Sequence, residues 1–346
     1  MINYAVDTSH IDLKSNGINP NNFRVDSQDL SIFYDKFLRN ISDKWREEKV
    51  ASLGSFDLFN RSTELSPTDT SYEYFMTENR GTSVIGDIAR TNGNDAPPVS
   101  VGANSYIQKF ADVYCSISWN PRDIAASRVV NYDILEKVKK AAMRKNYETM
   151  NQIAFSGAGG ANTDISNIPG ILNNPDIIKD ITCTENLAST ATTGEKALAC
   201  LNDLVNKFGD KNNYMIAPTV LAVSPSIYTI LSTMPWSSSY GPASLITVFK
   251  EMTRNTAGIG GIQIVPFAEG KKGMKYFEAN GVTNTVDYMI LMNNSPDCIE
   301  HMIAQDFYIH TPQQDGYGYK ALCISRTGGL RITQPKAVAL IKNKVS

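Results

Sequence analysis

The residues that could do chemistry in this chain fall into patterns that each stop short of it. The run Ser156-Gly157-Ala158-Gly159-Gly160-Ala161-Asn162 has the composition of a phosphate cradle. It follows a helical pattern, however, whereas a phosphate loop follows a strand and opens a helix, so it reads as a flexible hinge. Gly258-Ile259-Gly260-Gly261 has the same reversed order and reads as a helix-to-strand connection. The three histidines, His10, His301 and His310, form neither H-x-x-x-H nor H-E-x-x-H. His301, Asp306 and His310 fall on a strand pattern with mixed parity and are expected to be ordinary surface or interface polar groups. Five cysteines (Cys115, Cys183, Cys200, Cys298, Cys323) show no C-x-x-C spacing. Their odd number argues against a disulfide framework, and all are expected to be reduced and mostly buried. Acidic residues are plentiful but scattered, and no G-x-S-x-G elbow occurs. No catalytic, cofactor-binding or metal-binding residue is nominated, no cofactor is expected, and nothing favours an enzyme.

Composition narrows the class. With 346 residues, 42% hydrophobic and 20% charged, the chain can bury one large core or two modest ones. No run approaches the roughly 18 apolar residues that span a bilayer, and the densest, Tyr288 to Met292, is strand-sized. Met1 to His10 lacks a basic-then-apolar signal pattern, so synthesis in the cytoplasm and no membrane partner are expected. A formal charge of −2 offers no basic excess for gripping phosphate backbones. Sequence-specific nucleic-acid binding is therefore not expected, although enclosing nucleic acid stays open.

The elements that would position these residues are read from periodicity. The first two dozen residues are polar and turn-rich, an extended arm. A helix follows from Asp26 or Ser27, with Leu30, Phe33, Phe37, Ile41 and Trp45 in line. The longest helix is expected at 132–156, with Asn131 as N-cap and Ser156-Gly157 as its stop. Its apolar stripe is Leu135, Val138, Ala142, Met143, Tyr147, Met150 and Ala154, and Lys137, Lys140, Arg144 and Glu148 face away. At about 1.5 Å per residue it is a rod of about 37 Å, a spine for whatever packs on it. After it comes Asn167-Ile168-Pro169-Gly170-Ile171-Leu172-Asn173-Asn174-Pro175.

Residues 53–108 are unlike the rest. Tyr72, Tyr74 and Met76 alternate with Glu73 and Phe75, then come Val84 to Ile88, Pro97-Pro98, Val99 and Val101. A two-stranded ribbon is marginal alone, yet this one carries too many aromatics for simple disorder. The aromatics could pack beneath a loop of their own subunit. The preferred reading is a protruding hairpin that completes its burial against another subunit, with Tyr72, Tyr74, Phe75, Met76, Val84 and Ile88 as intersubunit contact candidates.

A strand with Val113, Cys115, Ile117 and Trp119 on one face leads to Asn120-Pro121, which opens a short helix from Arg122 to Arg128. From about 191 helices and strands alternate. Thr192 with Glu195 reads as a capping box for a helix whose stripe is Leu198, Leu201, Val205 and Phe208 and which Gly209 ends. Thr219 to Ser224, Ile262 to Pro266 and Val286 to Met292 read as strands, Ser226 to Thr233 and Ala243 to Arg254 as helices. The tail gives strands Ile299 to Phe307, Tyr319 to Arg326, Leu330 to Thr333 and Ala337 to Ile341, with Gly328-Gly329 as a turn.

This order resembles a tailed-bacteriophage major capsid protein. The residues that carry the resemblance are Asn120-Pro121-Arg122-Asp123-Ile124-Ala125-Ala126, the spine helix, Ile168-Pro169-Gly170-Ile171-Leu172-Asn173, and Ser325-Arg326-Thr327-Gly328-Gly329-Leu330-Arg331 with Pro335. It covers nearly the whole chain and is closest to the subgroup with a GIPGLLN-like segment after the spine. The resemblance implies an α+β capsid fold: 1–52 an N-arm with its helix, 53–108 an E-loop, 109–190 and 296–346 a P-domain, and 191–295 an α/β A-domain. It implies a structural subunit that forms pentamers and hexamers of itself and closes an icosahedral head around double-stranded DNA. Its further partners would be a portal and separate scaffolding or decoration proteins. Its place would be the virion, assembled in the host bacterial cytoplasm. Some relatives cross-link through an E-loop lysine, but there is none from Ala51 to Gln108, so no covalent chainmail is expected. Nor is a cleaved N-terminal scaffolding segment expected, since a helix begins within the first thirty residues and the chain opens on Met1. An encapsulin-like cargo compartment shares the fold and is the near rival. A cytosolic α/β enzyme, suggested only by 191–295, is the distant one.

Overall fold

A computed structural model describes residues 52–62, 64–83, 97–129, 133–158, 168–172, 174–237, 243–254, 261–273 and 286–344. Their elements in chain order begin with α1 (Gly54–Leu58), β1 (Ser71–Arg80), β2 (Ser100–Lys109), β3 (Ala111–Trp119), α2 (Pro121–Val129) and α3 (Ile134–Ser156). Next come α4 (Gly194–Asn212), β4 (Val220–Val223), α5 (Pro225–Thr233), α6 (Leu245–Arg254), β5 (Gln263–Pro266) and β6 (Tyr288–Met292). The chain ends with β7 (Ile299–Ile309), β8 (Gln313–Asp315), β9 (Gly318–Ile332) and β10 (Val338–Lys342). The expected N-terminal arm and helix, and the Asn131 cap, lie outside the described residues. Two units are distinguished, one of residues 1–50 with Asn120–Leu135 and one of Ala51–Trp119 with Glu136–Ser346. In the first, Asn120 Oδ1 accepts the Arg122 N–H at 3.0 Å where Pro121 opens α2.

The sheets and cores belong to the second unit. One mixed sheet runs β10-β6-β4-β5. It is buried on both faces, which is why β6 is a continuous apolar run. Alternate residues serve two cores. Leu221, Val223, Met289, Leu291, Ala339 and Ile341 pack under Leu201, Leu204 and Phe208 of α4, Ile227 and Leu231 of α5, and Phe249 of α6. Ala222, Ile290, Met292, Val338 and Leu340 face Phe155, Phe267, Leu58 and Phe59.

Three expectations fail in this lobe. Thr192 and Glu195 make no capping box: the Thr192 hydroxyl donates to Asn186 O at 2.7 Å, and Glu195 accepts from the Ser237 hydroxyl at 2.8 Å. The residue before the first turn is Thr193, with no side-chain cap. Gly209 does not end α4, which continues to Asn212 and stops where Asn213 turns left-handed at φ 55°. Gly209 lacks a side chain because the Tyr214 ring lies across it. Cys183 and Cys200, expected as thiols, are joined as a disulfide, since both point into the core where α4 meets the 181–183 segment, with Cα atoms 6.4 Å apart. Cys115, Cys298 and Cys323 are free.

The second sheet runs β3-β9-β7, with β8 pairing β9. Strand β9 is continuous through Gly328-Gly329, which is a bulge and not the expected turn. Met302 pairs with Gly329 and Ile303 with Thr327, leaving Gly328 as the extra residue, and Gly329 takes φ +73°. Helix α3 crosses this sheet. Ala142 packs with Ile117, Ala321 and Cys323; Met150 and Ile153 pack with Val113, Ile168 and Ile303; Phe155 enters the core beneath the other sheet. The spine therefore joins both sheets through one drifting stripe. Met143 is not part of it and is 39% exposed; the position facing the sheet is Asn146, whose amide donates to Val113 O at 3.4 Å and Ser325 Oγ at 3.3 Å.

The Pro-Gly segment is the cap of this helix. Ile171 N–H donates to Ala154 O at 3.3 Å and Leu172 N–H to Phe155 O at 2.9 Å, satisfying carbonyls the helix leaves unpaired. Ile168 and Ala158 exchange two further backbone bonds. A Cβ at Gly170 would lie 2.6 Å from Phe155 O and 2.7 Å from its carbonyl carbon, so the approach requires glycine.

Candidate assembly surface

Strands β1 and β2 pair antiparallel from Ser71↔Lys109 to Arg80↔Ser100 and form a sheet of their own. Alternation gives the ribbon two faces. On one, Tyr72, Tyr74 and Met76 are half-buried, and the Tyr74 ring stacks on Tyr72 at 6.3 Å and on Tyr106 at 5.5 Å. On the other stand Phe75, Val101 and Ile107, exposed 68%, 66% and 67%. Val99, just before β2, is 70% exposed. Of the six contact candidates read from sequence, Phe75 is on the open face and Tyr72, Tyr74 and Met76 on the partly closed one. Val84 and Ile88 lie outside the described residues. Ile107 and Val101 were not among the candidates; the parity of β2 would have found them once β1 was in register.

Leu53, Leu58 and Phe59 are buried, and α1 is fixed at its start by Gly54 N–H donating to Glu269 Oε1 and Ser55 N–H to Asn151 Oδ1, both at 2.8 Å. The Asn151 amide also donates to Glu269 Oε1 at 2.9 Å, tying α1 to the spine and to the Ala268–Gly270 turn.

Two arginines of β9 clamp the foot of the ribbon. Arg331, with its side chain 12% exposed, is paired with Glu300, donates to the Tyr72 hydroxyl at 3.0 Å and lies 5.2 Å from the Tyr72 ring centroid. Tyr72 in turn donates to Glu64 at 2.7 Å, the main reason its phenol is held above the usual range. Arg326 binds both oxygens of Asp112, at 2.6 and 3.2 Å, and donates to Pro67 O at 3.0 Å and Asp69 O at 3.2 Å. Gln108 donates to Gly328 O at 2.6 Å and Leu330 O at 3.2 Å. The foot is therefore held rigidly while the open face meets solvent.

His301 is not the surface group expected. It is 1% exposed, its ring lies tilted against Phe56 at 5.2 Å between centroids, and neither ring nitrogen has a hydrogen-bond partner. Burial, with Arg61 adding to it, pushes its pKa down to about 3, so the imidazole is neutral. It borders a cavity of about 560 Å³ with Phe56, Tyr147 and the Arg61–Asp306 ion pair. Among the described residues no group of three or more metal-capable side chains occurs, and no helix is long and apolar enough to cross a membrane.

A model of the major capsid protein family matches residues 86–343. The chain belongs to this family and is a structural subunit of a phage head. No curated protein is a significant match in sequence. Among solved structures it is similar to the capsid of Myoviridae phage XM1, with a TM-score of 0.72 and 11% identity over 89% of this chain and 98% of that one. It is also similar to a chain of Mycobacterium phage Bobi, with a TM-score of 0.60 and 10% identity over 92% and 99%. A chain of Microbacterium phage Oxtober96 gives a TM-score of 0.55 and 11% identity over 90% and 98%. At such identities the likeness is one of fold, the α+β capsid fold expected from the sequence.

Proposed function

We propose that copies of this chain associate into pentamers and hexamers, and that these close into an icosahedral head around double-stranded DNA. The observation that carries the reading is the open face of the β1–β2 ribbon. Three large apolar side chains stand two-thirds exposed on a ribbon whose foot is clamped, and burying each contributes roughly 1.5–3 kcal/mol. A second copy is the partner a homomeric shell provides, and closed symmetry leaves no ribbon uncovered. In family terms the ribbon with its flanks, within 53–108, serves as the E-loop and lies across a neighbour. Residues 191–295 serve as the A-domain around the capsomer axis, 109–190 with 296–346 as the P-domain, and 1–52 as the arm that ties subunits together. DNA is enclosed without sequence-specific contact, in keeping with the formal charge of −2. Its work is geometry and interface strength, with no chemical turnover. Assembly takes place in the host cytoplasm, with a portal and separate scaffolding or decoration proteins as further partners.

The test is a double substitution, Phe75→Glu with Ile107→Glu. Both side chains are exposed, so circular dichroism and the urea midpoint of the dissociated subunit should stay unchanged. Sedimentation should show loss of shells and rings. Normal shells from the double variant would refute the ribbon's role.

A further inference from the structure

Strands β3 and β9 set Cys115 directly opposite Cys323 beneath the spine helix. Directly opposed residues of an antiparallel pair stand about 4.5 or about 5.5 Å apart at Cα, according to which ladder position they occupy. Either spacing lies within the span of a disulfide, roughly 4.4–6.8 Å. Both pack into the cluster of Ile117, Ala142 and Ala321, and Cys115 Sγ reaches Ala142 O of α3 at 3.9 Å. Cys323 is fully buried and Cys115 only partly, so one sulfur of the pair is open to a small reagent and the other is held behind it.

We propose that Cys115 and Cys323 are a cross-strand dithiol that a peroxide oxidises to a disulfide, locking β3 to β9 under the spine helix in an oxidising medium. In the first step the Cys115 thiolate attacks one peroxide oxygen, the O–O bond breaks, hydroxide leaves, and a sulfenic acid forms. In the second the Cys323 sulfur attacks the Cys115 sulfur, the S–O bond breaks, and the oxygen departs as water with the Cys323 proton. The balance is two thiols and one hydrogen peroxide to one disulfide and two waters. Burial pushes the Cys323 thiol up to about 11 and shifts Cys115 in the same direction, so the first step is slow and Cys115 is the sulfur that begins it. The covalent ring so closed takes in the whole chain from β3 to β9, including the helix-rich lobe. A cross-link over a ring of that length constrains the unfolded chain strongly. In a reducing compartment the pair stays as thiols; outside it the bond forms and persists.

The test uses the full-length protein, treated with hydrogen peroxide, alkylated in denaturant and mapped by mass spectrometry without reduction. The expected product joins the peptides bearing Cys115 and Cys323, two hydrogens lighter than their sum and absent before treatment. The urea midpoint should rise on oxidation in the wild type and not in Cys115→Ser. Sulfinic or sulfonic acid at Cys115 with Cys323 still alkylated, or both cysteines alkylated, would overturn the proposal. If Cys115→Ser does not fold, the wild-type map decides alone. The map reads two positions inside one subunit, so it stands or falls independently of whether shells form.

Discussion

Gly170 has no room for even one methyl group, because a Cβ there would run into the backbone at Gly157 N and at the Phe155 carbonyl, which the following segment needs as a hydrogen-bond acceptor. Backbone cannot move aside cheaply. Gly170→Ala should therefore destabilise the subunit by about 2–3 kcal/mol, seen as a lowered urea midpoint. The segment was legible in the sequence as a motif, but its task as a helix cap was not, since that depends on which carbonyls it reaches. His301 was misread for a similar reason: a histidine on a strand of mixed parity looks peripheral until Phe56 is seen to lie against it. Its proton balance gives a prediction with a definite sign. Unfolded, the imidazole titrates near 6.5; folded, near 3. Between these values the unfolded chain holds the extra proton, so stability falls as pH falls, by up to about 1.4 kcal/mol per unit. Above 6.5 the effect vanishes. His301→Phe should leave stability at pH 7 nearly unchanged and flatten the decline between pH 6.5 and 3, measured by urea titrations at several pH values. A slope equal to that of the wild type would place the acid sensitivity elsewhere.

At the scale of elements, the clamp at the ribbon's foot contains two unequal ion pairs. Arg331 and Glu300 are both nearly buried, whereas Arg326 and Asp112 are 23% and 47% exposed at their side chains. Arg331→Ala would leave Glu300 buried without its partner and should cost about 3–5 kcal/mol. Arg326→Ala should cost roughly 1 kcal/mol from the screened pair, together with the loss of two backbone carbonyl contacts. Equal losses in chemical denaturation would contradict this ordering. The alternation of β1 could be read from Tyr72, Tyr74 and Phe75, because a period of two needs only its own strand. Bulges and caps could not. Gly328-Gly329 looks like a turn in one dimension, and only Met302 and Ile303 on the neighbouring strand reveal one residue too many. The capping-box reading of Thr192 and Glu195 failed likewise, because Asn186 and Ser237 compete for both side chains.

At the scale of the whole molecule, among the described residues the sheet β10-β6-β4-β5 separates two cores and α3 binds them to the second sheet. The ribbon forms a sheet of its own. Its foot is fixed, one face is partly closed by its own stacked tyrosines, and the other presents Phe75, Val101 and Ile107 to solvent. The α+β class, the spine and the β1–β2 hairpin were visible in the sequence because each is a run of local periodicity. The two-core arrangement was hidden, since it depends on which strands become neighbours. In the function proposed above, this open face is where copies of the chain meet. Electron cryomicroscopy of the purified, concentrated protein tests this most directly: closed particles of uniform diameter are expected, with each ribbon's Phe75 face buried on an adjacent copy. A field of separate subunits with that face folded onto their own bodies would contradict it.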